Sequence, residues 1–328
     1  MDAPLDPELA AWVGEVPATD LRDVRAAREL ERRTLERLPP YEPGRRLTVT
    51  DIALPGPRRG APAPGVTARV YAPAGRTGPL PGLLYLHGGG FALGGVASVD
   101  SPARRLADRA DVVVVNVRFR LAPEHPYPAA LDDCYAALEW AAGPGGEAYG
   151  IDPARIGVLG ESTGGGLAAA LALLARDRGG PRLAAQFLDA PVLDDRLDSV
   201  SMRTIADATL WQAANQPLVW SYYLSGTAEP GSVDVPLYAA PARAWPTDLT
   251  GLPPAGVTTY QIDPVRDEGL GYALHLIEAG VPTEVHHYGT AFHLAHALPG
   301  TAIGARIHAD RVSAIHRQLT TPPPTPTT

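Results

Sequence analysis

The 328-residue sequence contains a single cysteine, Cys134, and no lysine. One cysteine excludes an intramolecular disulfide and any zinc site built on several cysteines. Its place in an apolar helical stretch marks it as a small buried thiol. All 28 cationic residues are arginine; with the abundance of Ala, Gly and Pro, that resembles the coding bias of a GC-rich bacterial genome and carries no chemistry. No basic cluster exceeds a pair of arginines and the formal net charge is −8, so the concentrated cationic footprint that nucleic acid requires is missing. No run approaches the roughly 20 apolar residues that span a bilayer. Residues 1–14 carry Asp2, Asp6 and Glu8 and lack the basic-then-apolar order of a secretory signal. A cytoplasmic location is the default expectation.

With 45% hydrophobic and 20% charged residues, the composition is that of a globular protein, long enough for one large α/β domain with an insertion. Residues 20–38 open at Thr19/Asp20, stop at Pro39-Pro40 and repeat apolar residues at helical spacing, which predicts an amphipathic helix. Residues 47–54 and 66–71 read as strands with partial alternation. Then come short apolar runs at 82–86, 112–117, 156–159, 184–188 and 257–262, the pattern of strands covered on both faces. Helical stretches at 101–110, 129–142, 165–178 and 268–279 separate them, and a last strand (283–288) and helix (303–318) follow. This alternation predicts a doubly wound, mostly parallel central sheet with helices on both faces. Residues 194–241, with Trp211, Trp220, Tyr222 and Tyr223, break the alternation. They read as an insertion that packs with the N-terminal helix as a helical cap, the alternative being two peripheral helices. The division is thus a cap-helix region (1–45), a core (46–193 and 242–319), a cap insertion (194–241) and a disordered Pro/Thr tail (320–328).

Gly160-Glu161-Ser162-Thr163-Gly164 is a G-x-S-x-G pentapeptide, a pattern that recurs by chance and needs context. Here an apolar strand runs into it and an Ala/Leu helix runs out, the sharp strand–turn–helix that lifts a serine oxygen clear of a sheet. Ser162 is the candidate nucleophile. His87-Gly88-Gly89-Gly90-Phe91 follows an earlier strand, and consecutive glycines let several backbone N–H groups approach one point. Gly88, Gly89 and the N–H of Thr163 are therefore the candidate oxyanion donors, and His87 a structural hydrogen bonder. In an α/β-hydrolase fold the chain order is Ser, acid, His. Asp263 closes the run 257–262, where catalytic groups gather in open α/β sheets, so it is preferred to Asp267 as the acid. His293 follows the last strand and is the candidate base, with His296 as its rival. A metal site drawn from His286, His287, His293 and His296 is disfavoured because strand and helix spacing scatters them. No cofactor is expected.

Taken together, these motifs resemble one family. HGGGF, the segment RLAPEHPYPAALDD (120–133), GESTGGG (160–166) and DPVRDEG (263–269) are similar in order and spacing to those of the hormone-sensitive-lipase-like, or bacterial family IV, carboxylesterases. The resemblance covers about residues 40–320. It implies a catalytic Asp263 and His293, a cap made from the N-terminal helix and residues 194–241, no cofactor, a small-molecule ester as substrate and, by analogy, a homodimer through the last strand. Thr163 stands where the family usually has alanine, and His293-Leu294-Ala295 where it has His-Gly-Phe, after one apparent extra residue behind Gly289. Thr258-Thr259-Tyr260-Gln261 replaces the small polar residues that usually precede the acid. The expected chemistry is hydrolysis of small or short-acyl esters through a Ser-His-Asp triad and an acyl-enzyme, with Phe91, Trp211, Trp220 and Tyr222 as candidate pocket residues. Two alternatives stand beside it: a dedicated biosynthetic enzyme on the same site (acyl transfer, lactone formation or release of an intermediate), and a ligand-binding protein. Plant gibberellin receptors, which resemble the family, have lost the histidine that is present here as His293.

Overall fold

A computed structural model describes residues 4–56, 66–76, 78–206 and 209–320. Eight strands form one sheet: β1 (Leu47–Ala53), β2 (Thr67–Pro73), β3 (Leu80–Leu86), β4 (Val113–Arg118), β5 (Ile151–Glu161), β6 (Ala185–Asp189), β7 (Ala255–Ile262) and β8 (Thr283–Phe292). Their spatial order is β1-β2-β4-β3-β5-β6-β7-β8, with the β1/β2 and β2/β4 pairs antiparallel and the rest parallel. The expected sheet is the observed one. In the central strands β3, β4 and β6 nearly every residue is buried, and each Val or Leu so enclosed contributes about 1.5–3 kcal/mol. The edge strands β1 and β8 keep exposed positions along their length.

The helices that concern the site are α1 (Val24–Leu35), α2 (Asp100–Arg109), α3 (Ala129–Ala141), α4 (Thr163–Asp177), α5 (Val200–Thr204), α6 (Gln216–Tyr223), α7 (Arg266–Glu278) and α8 (Ala302–Thr320). The expected helix over 20–38 is shorter and split. Asp20 caps a 3-10 turn, Leu21–Asp23, and Asp23 then caps α1 by accepting from the Ala26 N–H at 2.9 Å. Two aspartates three residues apart each offer a start signal, and the second wins the α-helix. α1 is tied down by Arg28, which donates to the Ala92 carbonyl at 2.9 Å and pairs with Glu124. Leu21 donates its N–H to Asn215 and accepts from the Tyr222 hydroxyl. The N-terminal segment and residues 213–223 are thus fastened to each other.

Two strands outrun their apolar runs. β5 begins at Ile151 rather than 156, its first residues pairing with Leu80 and Pro81 before a register shift. β8 continues past Tyr288 to Phe292: Tyr260 faces Tyr288 but Ile262 faces Phe292, so β8 bulges by two residues. Gly289 lies within this bulge, between Tyr288 and Phe292. Of the expected tail, Thr320 ends α8, and residues 321–328 lie outside the described residues. Among the described residues no helix is long and apolar enough to cross a membrane.

Candidate active site

Ser162 sits at the turn between β5 and α4 with φ 55° and ψ −121°, a conformation that costs a non-glycine residue about 1–3 kcal/mol. The turn closes only because its neighbours lack side chains. A Cβ at Gly160 would collide with the Gly164 carbonyl, and one at Gly164 with the Leu86 carbonyl. The strain is held by backbone bonds. The Ser162 N–H donates to the Asp189 carbonyl at 2.8 Å, and its own carbonyl accepts from Gly165 and Val192. The N-terminus of α4 lies directly behind the serine, where its free N–H groups favour negative charge.

The β8 bulge sets the other two groups. Because Ile262 pairs with Phe292, the residues that follow, Asp263 and His293, leave adjacent parallel strands side by side. Nδ1 of His293 lies 2.8 Å from Asp263 Oδ2, and its Nε2 lies 3.2 Å from Ser162 Oγ. Asp263 Oδ1 accepts from the Val265 N–H at 3.0 Å. Ser162 and His293 are each 2% exposed and Asp263 0%. The structure therefore brings these three residues, 131 and 30 positions apart, into one hydrogen-bonded line.

The glycine loop lies against the serine. A Cβ on Gly88 would be 3.1 Å from that of Ser162. Among the described residues the N–H groups of Gly88, Gly89 and Thr163 donate to no acceptor, and all three stay available to an oxyanion. The Thr163 side chain also fastens the glycine loop to the serine turn, its Oγ1 accepting from the Phe91 N–H at 3.2 Å. His87 stacks on Phe119 at 4.2 Å and holds Gly88 O through Nδ1. Burial lowers its pKa to about 4, so it stays uncharged as a structural group.

The remaining candidates separate. Asp267 accepts from the Ser201 N–H at 2.7 Å and pairs with Arg266, away from His293; it joins α5 to the turn after β7. His286 meets Glu284, and His287 meets Thr259 and Gln261. His296 turns to Tyr260, Glu161 and Arg311. Among the pocket candidates, Trp211 has its ring 6.3 Å from that of His293. Phe91 and Trp220 pack together with Tyr223, and Tyr222 fastens Leu21. Leu21, Trp211 and Val219 converge on Gly90 and cover the glycine loop. Cys134 is buried and its thiol is pushed well up by burial, which makes it inert.

One group near Asp263 was not anticipated. Glu268 is 8% exposed; Oε2 accepts from the Asp194 N–H at 2.9 Å, while Oε1 has no partner among the described residues. Burial, then the Asp194 carboxylate, push its pKa well above the usual value. The unfolded chain loses this proton near the ordinary carboxyl value while the folded chain keeps it, so the stabilisation is full at acid pH and declines as pH rises, by up to about 1.4 kcal/mol per unit. Glu268→Gln, which mimics the protonated form, is expected to gain Tm over wild type increasingly from pH 5 to pH 8. Thermal unfolding at the two values checks this; a difference that does not grow with pH contradicts it.

Comparison with known proteins gives the context. A family model described as alpha/beta hydrolase fold matches residues 83–297. The carboxylesterase NlhH of Mycobacterium tuberculosis is 42% identical over 228 residues, 70% of each chain. The esterase LipI of the same organism is 39% identical over 271 residues, 81% of this chain and 80% of LipI. The solved structure of a bacterial heroin esterase superposes with a TM-score of 0.89 at 42% identity, covering 97% of this chain and 98% of the other.

Proposed function

We propose, since this chain belongs to the hormone-sensitive-lipase-like carboxylesterases of the α/β-hydrolase fold and is an ester hydrolase, that it hydrolyses small or short-acyl esters through Ser162, His293 and Asp263. Ser162 Oγ attacks the ester carbonyl carbon while His293 Nε2 takes its proton. The carbonyl oxygen becomes an oxyanion, received by the N–H groups of Gly88, Gly89 and Thr163. Collapse breaks the acyl–oxygen bond, and the alcohol leaves with the proton from His293. Water then attacks the acyl-enzyme, giving its proton to the same imidazole, and Ser162 is released with the acid. Asp263 holds the imidazole with Nδ1–H toward itself, so that Nε2 faces the serine as an acceptor.

The observation that carries this reading is the continuous line Asp263–His293–Ser162 at 2.8 and 3.2 Å beside free backbone donors. The short-acyl part is supported by closure: Ser162 and His293 are almost fully covered, and Trp211 stands beside His293. In this reading the N-terminal segment and residues 194–241 form the cap. Hydrolysis of p-nitrophenyl esters over a series of acyl lengths tests it, with the highest kcat/KM expected at acetyl to butanoyl and a fall beyond. A flat or rising profile toward long chains refutes the short-acyl assignment. Trp211→Ala is expected to move the optimum toward longer chains by widening the space next to His293, with kcat on the acetyl ester within about threefold of wild type, since tryptophan supplies no reacting group.

A further inference from the structure

Below the serine turn, a buried polar junction joins side chains that the acyl-enzyme chemistry does not use. Glu161 ends β5, Asp189 ends β6, Tyr260 lies in β7, His296 in the 3-10 turn Ala295–Ala297, and Arg311 in α8. Glu161 Oε1 accepts from the Tyr85 hydroxyl at 2.7 Å and from Arg311 Nη1 at 2.7 Å. Arg311 Nη2 donates to Asp189 Oδ2. The Tyr260 hydroxyl donates to Asp189 Oδ1 at 2.8 Å, so its oxygen is left to accept from Nδ1 of His296 at 3.0 Å. That turns Nε2 of His296 toward Arg311 at 2.9 Å and Glu161 at 3.1 Å. All six side chains are at least nine-tenths buried.

Two carboxylates enclosed together cost several kcal/mol each unless compensated. Burial pushes the Glu161 carboxyl up, but Arg311 and then His296 outweigh it and hold it well below the usual range. His308, edge-on to His296 at 5.2 Å, is kept uncharged: burial, then His296 and Arg311, lower it to about 2. Arg311 is the permanently charged cation of the junction, and its planar fork meets both acids at once. Glu161, Asp189 and His296 also present ligand atoms within 4.8 Å of one another. The guanidinium contacts all three, so the cluster is centred on arginine rather than on a metal.

Glu161 immediately precedes Ser162, and His296 follows His293 by three residues. Of the two between, Leu294 is held in the left-handed conformation at φ 50°. A shift of either junction member is thus passed on through one to three peptide units. We propose that Arg311 is a positioning residue for ester hydrolysis: through Glu161 it fixes the strand end that carries Ser162, and through His296 it fixes the turn that carries His293. The inference rests on the reading of Ser162 and His293 as nucleophile and base. It predicts a loss in kcat rather than KM, since misplacing reacting groups by about 1 Å costs on the order of 100-fold in rate while the substrate-covering residues stay untouched.

The test is kcat and KM for p-nitrophenyl acetate in Arg311→Met, Arg311→Lys and His296→Asn, with thermal unfolding of each variant. Arg311→Met is expected to lower kcat about 100-fold with KM within about threefold. Arg311→Lys should recover about tenfold of that loss, because an ammonium keeps the charge but cannot fork across two carboxylates. His296→Asn, which takes away the imidazole's contacts to Tyr260, Arg311 and Glu161 but leaves the Arg311–Glu161 pair in place, should lose about tenfold in kcat. A folded Arg311→Met with kcat within about threefold of wild type, or a change confined to KM, overturns the proposal. Where Arg311→Met does not fold, the same criteria applied to His296→Asn decide. Ser162→Ala is measured alongside. Retained activity there refutes the nucleophile reading and this inference with it, whereas abolished activity there with an unaffected Arg311→Met refutes this inference alone.

Discussion

Ser162→Ala is expected to lower kcat for short p-nitrophenyl esters by roughly 10⁵–10⁶-fold, about 7–8 kcal/mol of transition-state stabilisation. Without Oγ there is no acyl-enzyme, and what remains is water attack aided by the glycine-loop N–H groups. His293→Ala should cost nearly as much, because Ser162 Oγ then has no acceptor for its proton. The double variant should be no slower than either single one by more than about threefold. That non-additivity separates a chemical unit from two residues that each merely support the fold: independent defects would multiply. Closely similar melting temperatures of the three variants would show that the loss is chemical.

The second large effect is at the acid. Asp263→Asn is expected to reduce kcat by about 10⁴-fold with little change in KM. The reason lies in the hydrogen bond that Oδ1 accepts from the Val265 N–H. An asparagine must keep its oxygen on that donor, which leaves its NH₂ facing Nδ1 of His293. Nδ1 is then forced to accept, the imidazole proton moves to Nε2, and Nε2 points a donor at Ser162 instead of an acceptor. Asp267→Asn is the control. Asp267 holds Ser201 and Arg266 and makes no contact with His293, so kcat should stay within about threefold while stability falls by about 1 kcal/mol. Steady-state kinetics of the two variants distinguish the two acids; a larger loss in kcat at Asp267 would reverse the assignment.

What could be read from the sequence follows from how locally each feature is encoded. β3, β4 and β6 are uniform apolar runs because both faces are covered, and such runs need no knowledge of their neighbours. β8 was legible only to Tyr288, because its last residues pair across a bulge whose existence depends on the register of β7. The split of the N-terminal helix turns on which of two aspartates caps it, which propensity alone does not rank. Ser162, Gly88 and Gly89 stand in compact motifs, and Asp263 and His293 follow strand ends, so each could be proposed from its own surroundings. Arg311 could not. Its acid partners lie 150 and 122 residues away, and an arginine in a C-terminal helix of mixed polar and apolar residues looks like a solvated one. The one available hint was Glu161, an acid inside an otherwise small-residue turn, where a buried carboxylate demands a cation. Glu268 was hidden in the same way: one of three acidic residues in the stretch 263–268, it is set apart by its burial.

The central claim, that Ser162 forms the covalent acyl-enzyme, is tested most directly by titration with a p-nitrophenyl alkylphosphonate followed by peptide mass analysis. The account predicts release of a single equivalent of p-nitrophenolate per chain, loss of esterase activity in step with that release, and the phosphonyl mass on the peptide containing Ser162. Activity that survives complete labelling, or a label that resides on any other residue while activity disappears, would contradict it.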